Sequence, residues 1–223
     1  MGVKLYTSDW STPVRATMMA CDIFDIPFEK IEVNLMEMEH LTTEYLKLNP
    51  LHSIPVLEDG DFVLFDSHAI MIYLAETYAE DESWYPKDVK KRALVNQKLF
   101  FDTSILYPRI RGITVSNLFI FMVIEQSKID AILEAYGFVE EFLTRTTYIA
   151  ADHITIADVA ALATMTAMEM IVPHVAYGVS SASQGRKCAI DEQALRVVRT
   201  ALKTMPLATT YNYLICNEDI LTK

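Results

Sequence analysis

The chain has 223 residues, 52% hydrophobic and 22% charged, with 19 Lys and Arg against 30 Asp and Glu for a formal charge of -11. That apolar fraction excludes a disordered chain, and the length supplies one large domain or two small ones with a packed core. The acidic balance argues against a protein that tracks nucleic-acid phosphates or anionic membranes.

Elements follow in chain order. Residues 4–6 form a short strand. Residues 13–24 form a helix with Val14, Met18 and Cys21 on one face and Met19 at its border. Residues 29–33 alternate as a strand, with Ile31 and Val33 on one side. A helix over 42–48 stops before Asn49-Pro50, because the residue before proline avoids the helical region. Residues 55–57 and 62–65 are strands around a hairpin turn at 58–61. Ser67 then caps a helix to about residue 78. The charged stretch around Pro86 lacks a periodic apolar face and reads as a linker over 81–91. Beyond it, helices are expected at about 88–110, 116–125, 128–143, 155–170 and 191–204. The pattern predicts a small α/β domain over 1–80 and an all-helical domain over 92–223. Thr155 and Asp158 form a capping box, and Ile154 and Val159 its hydrophobic staple.

No membrane or export signal is expected. The N-terminal MGVKLYTSDW lacks the apolar stretch of a signal peptide. Tyr6 stands where a myristoylation signal needs Ser or Thr. The longest apolar run, from Val159 to Met168, is too short to span a bilayer. Cys21, Cys188 and Cys216 are widely spaced and lack a CxxC pairing, as expected of reduced thiols in a cytoplasmic protein.

Three segments can carry chemistry. Ser11-Thr12-Pro13-Val14-Arg15 opens the first helix, with Pro13 suited to the first helical position. Free backbone donors and the positive dipole end gather near Ser11, where an anion is stabilised, although Ser11 or Thr12 can equally serve as a plain N-cap. In His52-Ser53-Ile54-Pro55, a cis proline would turn Ile54 outward, so that its backbone pairs with an extended peptide as an added strand. At Asp66-Ser67-His68 a carboxylate and a hydroxyl at a helix start can grip an ammonium and a carboxylate together. His40 and His52 lack further Cys or His at metal-ligand spacing, so no metal site is expected. No GxGxxG, P-loop, HExxH or GxSxG motif occurs.

Taken together and in this order, Ser11-x-Pro13-x-Arg15, Ile54-Pro55, Asp66-Ser67 and Thr155-Ile156-Ala157-Asp158 resemble the cytosolic glutathione S-transferase family. Glu39-His40-Leu41, Asn49-Pro50-x-His52, Trp84-Tyr85-Pro86-Lys87-Asp88 and Leu99-Phe100-Phe101-Asp102 resemble its insect delta and epsilon classes, nearer epsilon. The resemblance implies a thioredoxin-like domain followed by a helical-bundle domain, and a homodimer. It implies that Ser11 donates a hydrogen bond to the glutathione sulfur. A thiol with a pKa near about 8.5 is only a few per cent thiolate at neutral pH, and a donor at a helix mouth raises that share.

His40 and His52 match residues around the glycine end of glutathione, Ile54 the backbone partner of its cysteinyl unit, and Asp66, Ser67 and His68 the γ-glutamyl pocket. Pro13, Leu35, Tyr107, Arg111, Ile113, Phe119 and Met122 match the lining of a hydrophobic cleft for the second substrate. The implied activity is conjugation of glutathione, a cosubstrate, to small hydrophobic electrophiles, with no metal or prosthetic group. The alternative is a non-catalytic carrier with a retained glutathione pocket. Its support is the departure after Pro173, where residues 179–187 are polar and the family's tryptophan-bearing C-terminal helix is not evident.

Overall fold

Val3, Leu5 and Thr7 alternate inward along the first strand, β1 (Val3–Thr7), which runs through the middle of a four-stranded sheet. The computed structural model describes residues 2–8, 11–117 and 124–172, those at 115–117 by backbone alone. These described residues lie in one compact unit. Strand order is β2-β1-β3-β4, with β2 (Phe28–Glu32) parallel to β1, and β3 (Val56–Asp59) and β4 (Phe62–Phe65) antiparallel. Val33 extends the β2 pairing by donating its N–H to Thr7 O at 2.8 Å. Gly60 takes the positive φ of 65° that the β3–β4 turn demands.

The first helix, α1 (Thr12–Ile23), is buried more widely than the one face expected. Ala16, Thr17 and Ala20 are covered as well as Val14, Met18, Met19 and Cys21. The reason is its position: α1 packs against both α3 (Ser67–Tyr78) and the late helix α7 (Ile156–Ile171), and Arg15 donates to Ala163 O of α7 at 3.2 Å. A 3₁₀ turn (Glu39–Leu41) and the short α2 (Thr43–Leu48) lie between β2 and β3. They are tied to the sheet by a cluster of Val33, Tyr45 and Val56 flanked by Tyr6, Leu35, Ile54 and Phe65.

The helix expected from about residue 88 begins inside the stretch read as a linker. Asp88 Oδ1 accepts from Lys90 N at 3.1 Å and Lys91 N at 2.9 Å, so α4 (Val89–Phe101) begins inside it. The remaining linker is anchored. The Arg92 guanidinium lies over the Tyr85 ring, Ile156 N donates to Trp84 O, and Trp84 meets Phe24 edge-on. A second difference follows α4. A π-helical segment (Asp102–Leu106) interrupts the helix expected at about 88–110, and α5 (Tyr107–Asn117) runs on from it through the expected break after residue 110. Thr103 and Ser104 turn their hydroxyls back to Leu99 O and Phe100 O, a competition for carbonyls that goes with a disturbed helix. The helix α6 (Gln126–Leu143) follows. Of the helix expected at 116–125, residues 116–117 belong to α5 and 118–123 lie outside the described residues, as do the helix expected at 191–204, Cys188 and Cys216. Among the described residues no helix is long and apolar enough to cross a membrane.

The capping box at the start of α7 is present, and it reaches further than expected. Asp158 Oδ2 accepts from the Thr155 N–H at 2.8 Å and the Thr155 hydroxyl at 2.9 Å. Its Oδ1 accepts from Ile149 N at 2.9 Å, so one carboxylate ties the helix to the loop before it.

Candidate active site

The sheet register assembles the three segments at one edge. Tyr6 of β1 pairs with Val56 of β3, and Val56 with Phe65 of β4. The C-terminal end of β1, the N-terminal end of β3 and the C-terminal end of β4 therefore lie side by side. Ser11 follows the first, Ile54-Pro55 precedes the second, and Asp66-Ser67 follows the third. Because β2 is parallel to β1, its C-terminal end, which leads to His40, lies at the same edge. Two strand spacings separate the ends of β1 and β4, about 10 Å, which is about the reach of an extended tripeptide.

Ser11 is the N-cap of α1, as one of the two readings of the sequence had it. Its Oγ accepts from Val14 N at 3.4 Å. A hydroxyl has one hydrogen and two lone pairs, so the cap leaves the Ser11 hydrogen free for an acceptor beyond the helix. Pro13 occupies the helix's first turn and is half-buried.

The Ile54-Pro55 peptide bond is cis. The loop before it is held by a residue the sequence reading treated only as a helix stop. Asn49, fully buried, donates from Nδ2 to Ser53 O at 2.8 Å and Ser53 Oγ at 3.1 Å, and accepts from Leu51 N at 2.9 Å. Tyr45 Oη donates to the same Ser53 carbonyl at 2.8 Å, and burial pushes that phenol's pKa up. The signal was the turn chemistry of Asn before Pro; its partner Ser53 was not readable. His52 sits exposed at a φ of 44°, and its ring centroid is 6.3 Å from that of His40, so the two histidines are neighbours.

At the start of α3 the cap is Asp66 and not Ser67, which is the first helical residue. Asp66 Oδ1 accepts from His68 N at 3.0 Å and Ala69 N at 3.1 Å, and Asp66 holds a φ of 78°, a strained value for a residue with a side chain. The cap thus occupies two of the helix-start donors expected to receive a ligand carboxylate. It leaves the Ser67 N–H and hydroxyl, and the exposed second oxygen of Asp66. His68 lies beside Ser67 and has a further partner. Its Nε2 lies 2.9 Å from Asp102 Oδ2, a buried carboxylate on the π segment, so the ring turns toward the helical part of the chain.

The second-substrate residues are only partly assembled. Tyr107 and Arg111 stand i, i+4 on α5. Burial pushes the Tyr107 phenol up, opposed by the Arg111 charge. Leu35 is half-buried against the Val33–Tyr45–Val56 cluster. Ile113, 1% exposed, belongs to the packed core and not to an open wall: an apolar position at helical spacing serves either role, and packing around α5 decides it. Phe119 and Met122 lie outside the described residues. Among the described residues no group of three or more His, Cys, Asp or Glu is placed to hold a metal.

Comparison with known proteins agrees with this geometry. Residues 1–76 match the family model described as glutathione S-transferase, N-terminal domain. Glutathione S-transferase 1 of Manduca sexta is 42% identical over 176 residues, 78% of this chain and 81% of the relative. A solved glutathione transferase homolog from Drosophila mojavensis, with bound glutathione, superposes with a TM-score of 0.79 at 37% identity, covering 92% of this chain and 89% of that one. An epsilon-class glutathione S-transferase from the housefly Musca domestica gives a TM-score of 0.74 at 36% identity, covering 91% and 98%. The chain belongs to the glutathione S-transferase family, with the insect delta and epsilon members as its relatives.

Proposed function

We propose that the edge formed by the strand ends binds glutathione in extended form and holds its sulfur as a thiolate for attack on a small hydrophobic electrophile. In this reading Ser11 donates its free hydrogen to the sulfur, and the mouth of α1 adds its dipole. The Ile54 backbone pairs with the cysteinyl unit, His40 and His52 flank the glycine carboxylate, and the open Asp66 oxygen takes the γ-glutamyl ammonium. Ser67 takes the γ-glutamyl carboxylate. The electrophile enters beside Pro13, Leu35, Tyr107 and Arg111, where the Tyr107–Arg111 pair orients an oxygen-bearing substrate.

The observation that carries the reading is the hydroxyl of Ser11, which caps α1 through a lone pair and so keeps its hydrogen for a ligand. The relatives named as transferases support the enzyme over the carrier. The exposed Leu94 and Phe100 on α4 support association as a homodimer. A cytoplasmic location belongs to the same reading. Glutathione is a cosubstrate, and no step calls for a metal.

The test is retention on immobilised glutathione, followed by turnover of a generic aryl halide by wild type and Ser11→Ala. Wild type should bind and turn over. Ser11→Ala should bind and lose at least about tenfold in kcat/KM near neutral pH, the share of one hydrogen bond to a charged sulfur. Retention without turnover across a broad electrophile panel would instead establish the carrier.

A further inference from the structure

The start of α3 carries a hydrogen-bond relay whose direction depends on one proton. His68 Nε2 lies 2.9 Å from Asp102 Oδ2, and Nδ1 lies 3.3 Å from both Ser67 Oγ and Thr103 Oγ1. The His68 ring is 14% exposed and the Asp102 side chain 4%. Counting hydrogens restricts the arrangement. A carboxylate only accepts, so Nε2 carries a hydrogen whether the ring is neutral or charged. Thr103 gives its single hydroxyl hydrogen to Leu99 O at 3.1 Å, so toward Nδ1 it only accepts. Of the two hydroxyls beside Nδ1, that of Thr103 has a closer acceptor in Leu99 O and that of Ser67 has no other among the described residues, so the Ser67 hydrogen is the one that follows the ring.

We infer that the charge state of His68 sets the direction of the Ser67 hydroxyl and, through it, the affinity for the γ-glutamyl carboxylate, a regulation that rests on the glutathione reading above. With the ring charged, Nδ1–H donates to Ser67 Oγ, and the Ser67 hydrogen turns to the ligand anion. With the ring neutral, Nδ1 is a bare acceptor and takes the Ser67 hydrogen. The hydroxyl then faces the anion with its lone pairs, and affinity falls as pH rises. His68 is a positioning residue in this scheme, acting only through Ser67.

Among the described residues, the carboxylates beside the ring are those of Asp102 and Asp66. From its own helix start, Asp66 Oδ1 is 3.9 Å from Nδ1, beyond hydrogen-bond reach, and is already engaged by the His68 and Ala69 N–H groups. The cavity of about 290 Å³ beside the ring is lined from α4 by Asn96, Leu99 and Phe100, none of them charged. From the π segment it receives Thr103, with Asp102 behind the ring.

The experiment measures the Kd of S-methylglutathione, whose sulfur does not titrate, by calorimetry between about pH 5.5 and 8, the range in which histidine charge changes. Wild type, Ser67→Ala and His68→Gln are compared. His40 and His52 are present in all three proteins, so their contribution cancels. Wild-type Kd should rise across the range by about tenfold more than in Ser67→Ala, the size of one hydrogen bond to a charged group. His68→Gln should show the same flattened profile. Superimposable relative pH profiles in wild type and Ser67→Ala would overturn the inference and leave the glutathione site standing. Failure of wild type to bind the probe at any pH would overturn both.

Discussion

Replacing Asp158 with Ala tests how the start of α7 is held. The carboxylate accepts from the Thr155 N–H, the Thr155 hydroxyl and the Ile149 N–H, all between 2.8 and 2.9 Å. Thr155 is 0% exposed and Ile149 4%, so both backbone N–H groups would lose their acceptor with no water to replace it. At about 1–3 kcal/mol for each buried donor left unmade, the loss comes to about 2–6 kcal/mol. An isolated helix cap is worth only about 0.5–2 kcal/mol. The difference is the Ile149 bond, which the capping motif alone does not contain. Urea unfolding followed by circular dichroism should show a lowered midpoint at unchanged slope, and Asp158→Asn, which keeps one oxygen, should fall between. A loss under about 1 kcal/mol for Asp158→Ala would refute the reasoning, since it would mean that the N–H groups find other partners.

The sign of the pH effect at this site also follows. Burial raises the Asp158 carboxyl above its ordinary value, against opposing hydrogen bonds from Ile149 and Thr155. Between the unfolded and folded values the folded state binds the proton more tightly, so Asp158 lowers stability as pH rises through that interval. It is not a group whose protonation drives acid unfolding.

Asp59 has the opposite sign. The Tyr78 hydroxyl, and then that of Tyr73, hold its carboxyl below the usual range. Its contribution is present above the ordinary carboxylate value and is lost as pH falls through the folded one. Stability measured from about pH 5 to pH 2 should therefore fall less steeply in Tyr73→Phe/Tyr78→Phe than in wild type, and equal slopes would count against the pairing. Asn49→Ala removes three bonds that shape the loop before the cis proline, so KM for glutathione should rise at least about fivefold with a smaller change in kcat. An unaltered KM would separate that loop from ligand binding.

Much of this architecture was legible because local chemistry carried it. Alternation gave the strands, the Asn49-Pro50 step ended α2, and Thr155 with Asp158 marked the start of α7. What escaped depends on partners far along the chain. The wide burial of α1 comes from α7, whose Ala163 receives Arg15 from 148 residues away. Ser67 and Asp66 both suit a cap, and only the backbone at Asp66, with its positive φ, decides between them. The family resemblance puts His68 in the γ-glutamyl pocket, but its contact with Asp102, 34 residues on, leaves no local trace. The π segment is equally silent, since a Thr-Ser pair inside a helical pattern is compatible with an ordinary α-turn. The family resemblance puts Ile113 on the cleft, and helical spacing does not distinguish a core face from a cleft wall.

The central claim is that the Ser11 hydroxyl keeps the sulfur of bound glutathione deprotonated, and ultraviolet titration of the thiolate in the binary complex tests it directly. In wild type the bound sulfur should titrate at least about one unit below the ordinary thiol value of about 8.5, and in Ser11→Ala it should return toward that value. A wild-type complex whose sulfur is no more acidic than that of the free tripeptide would contradict the account.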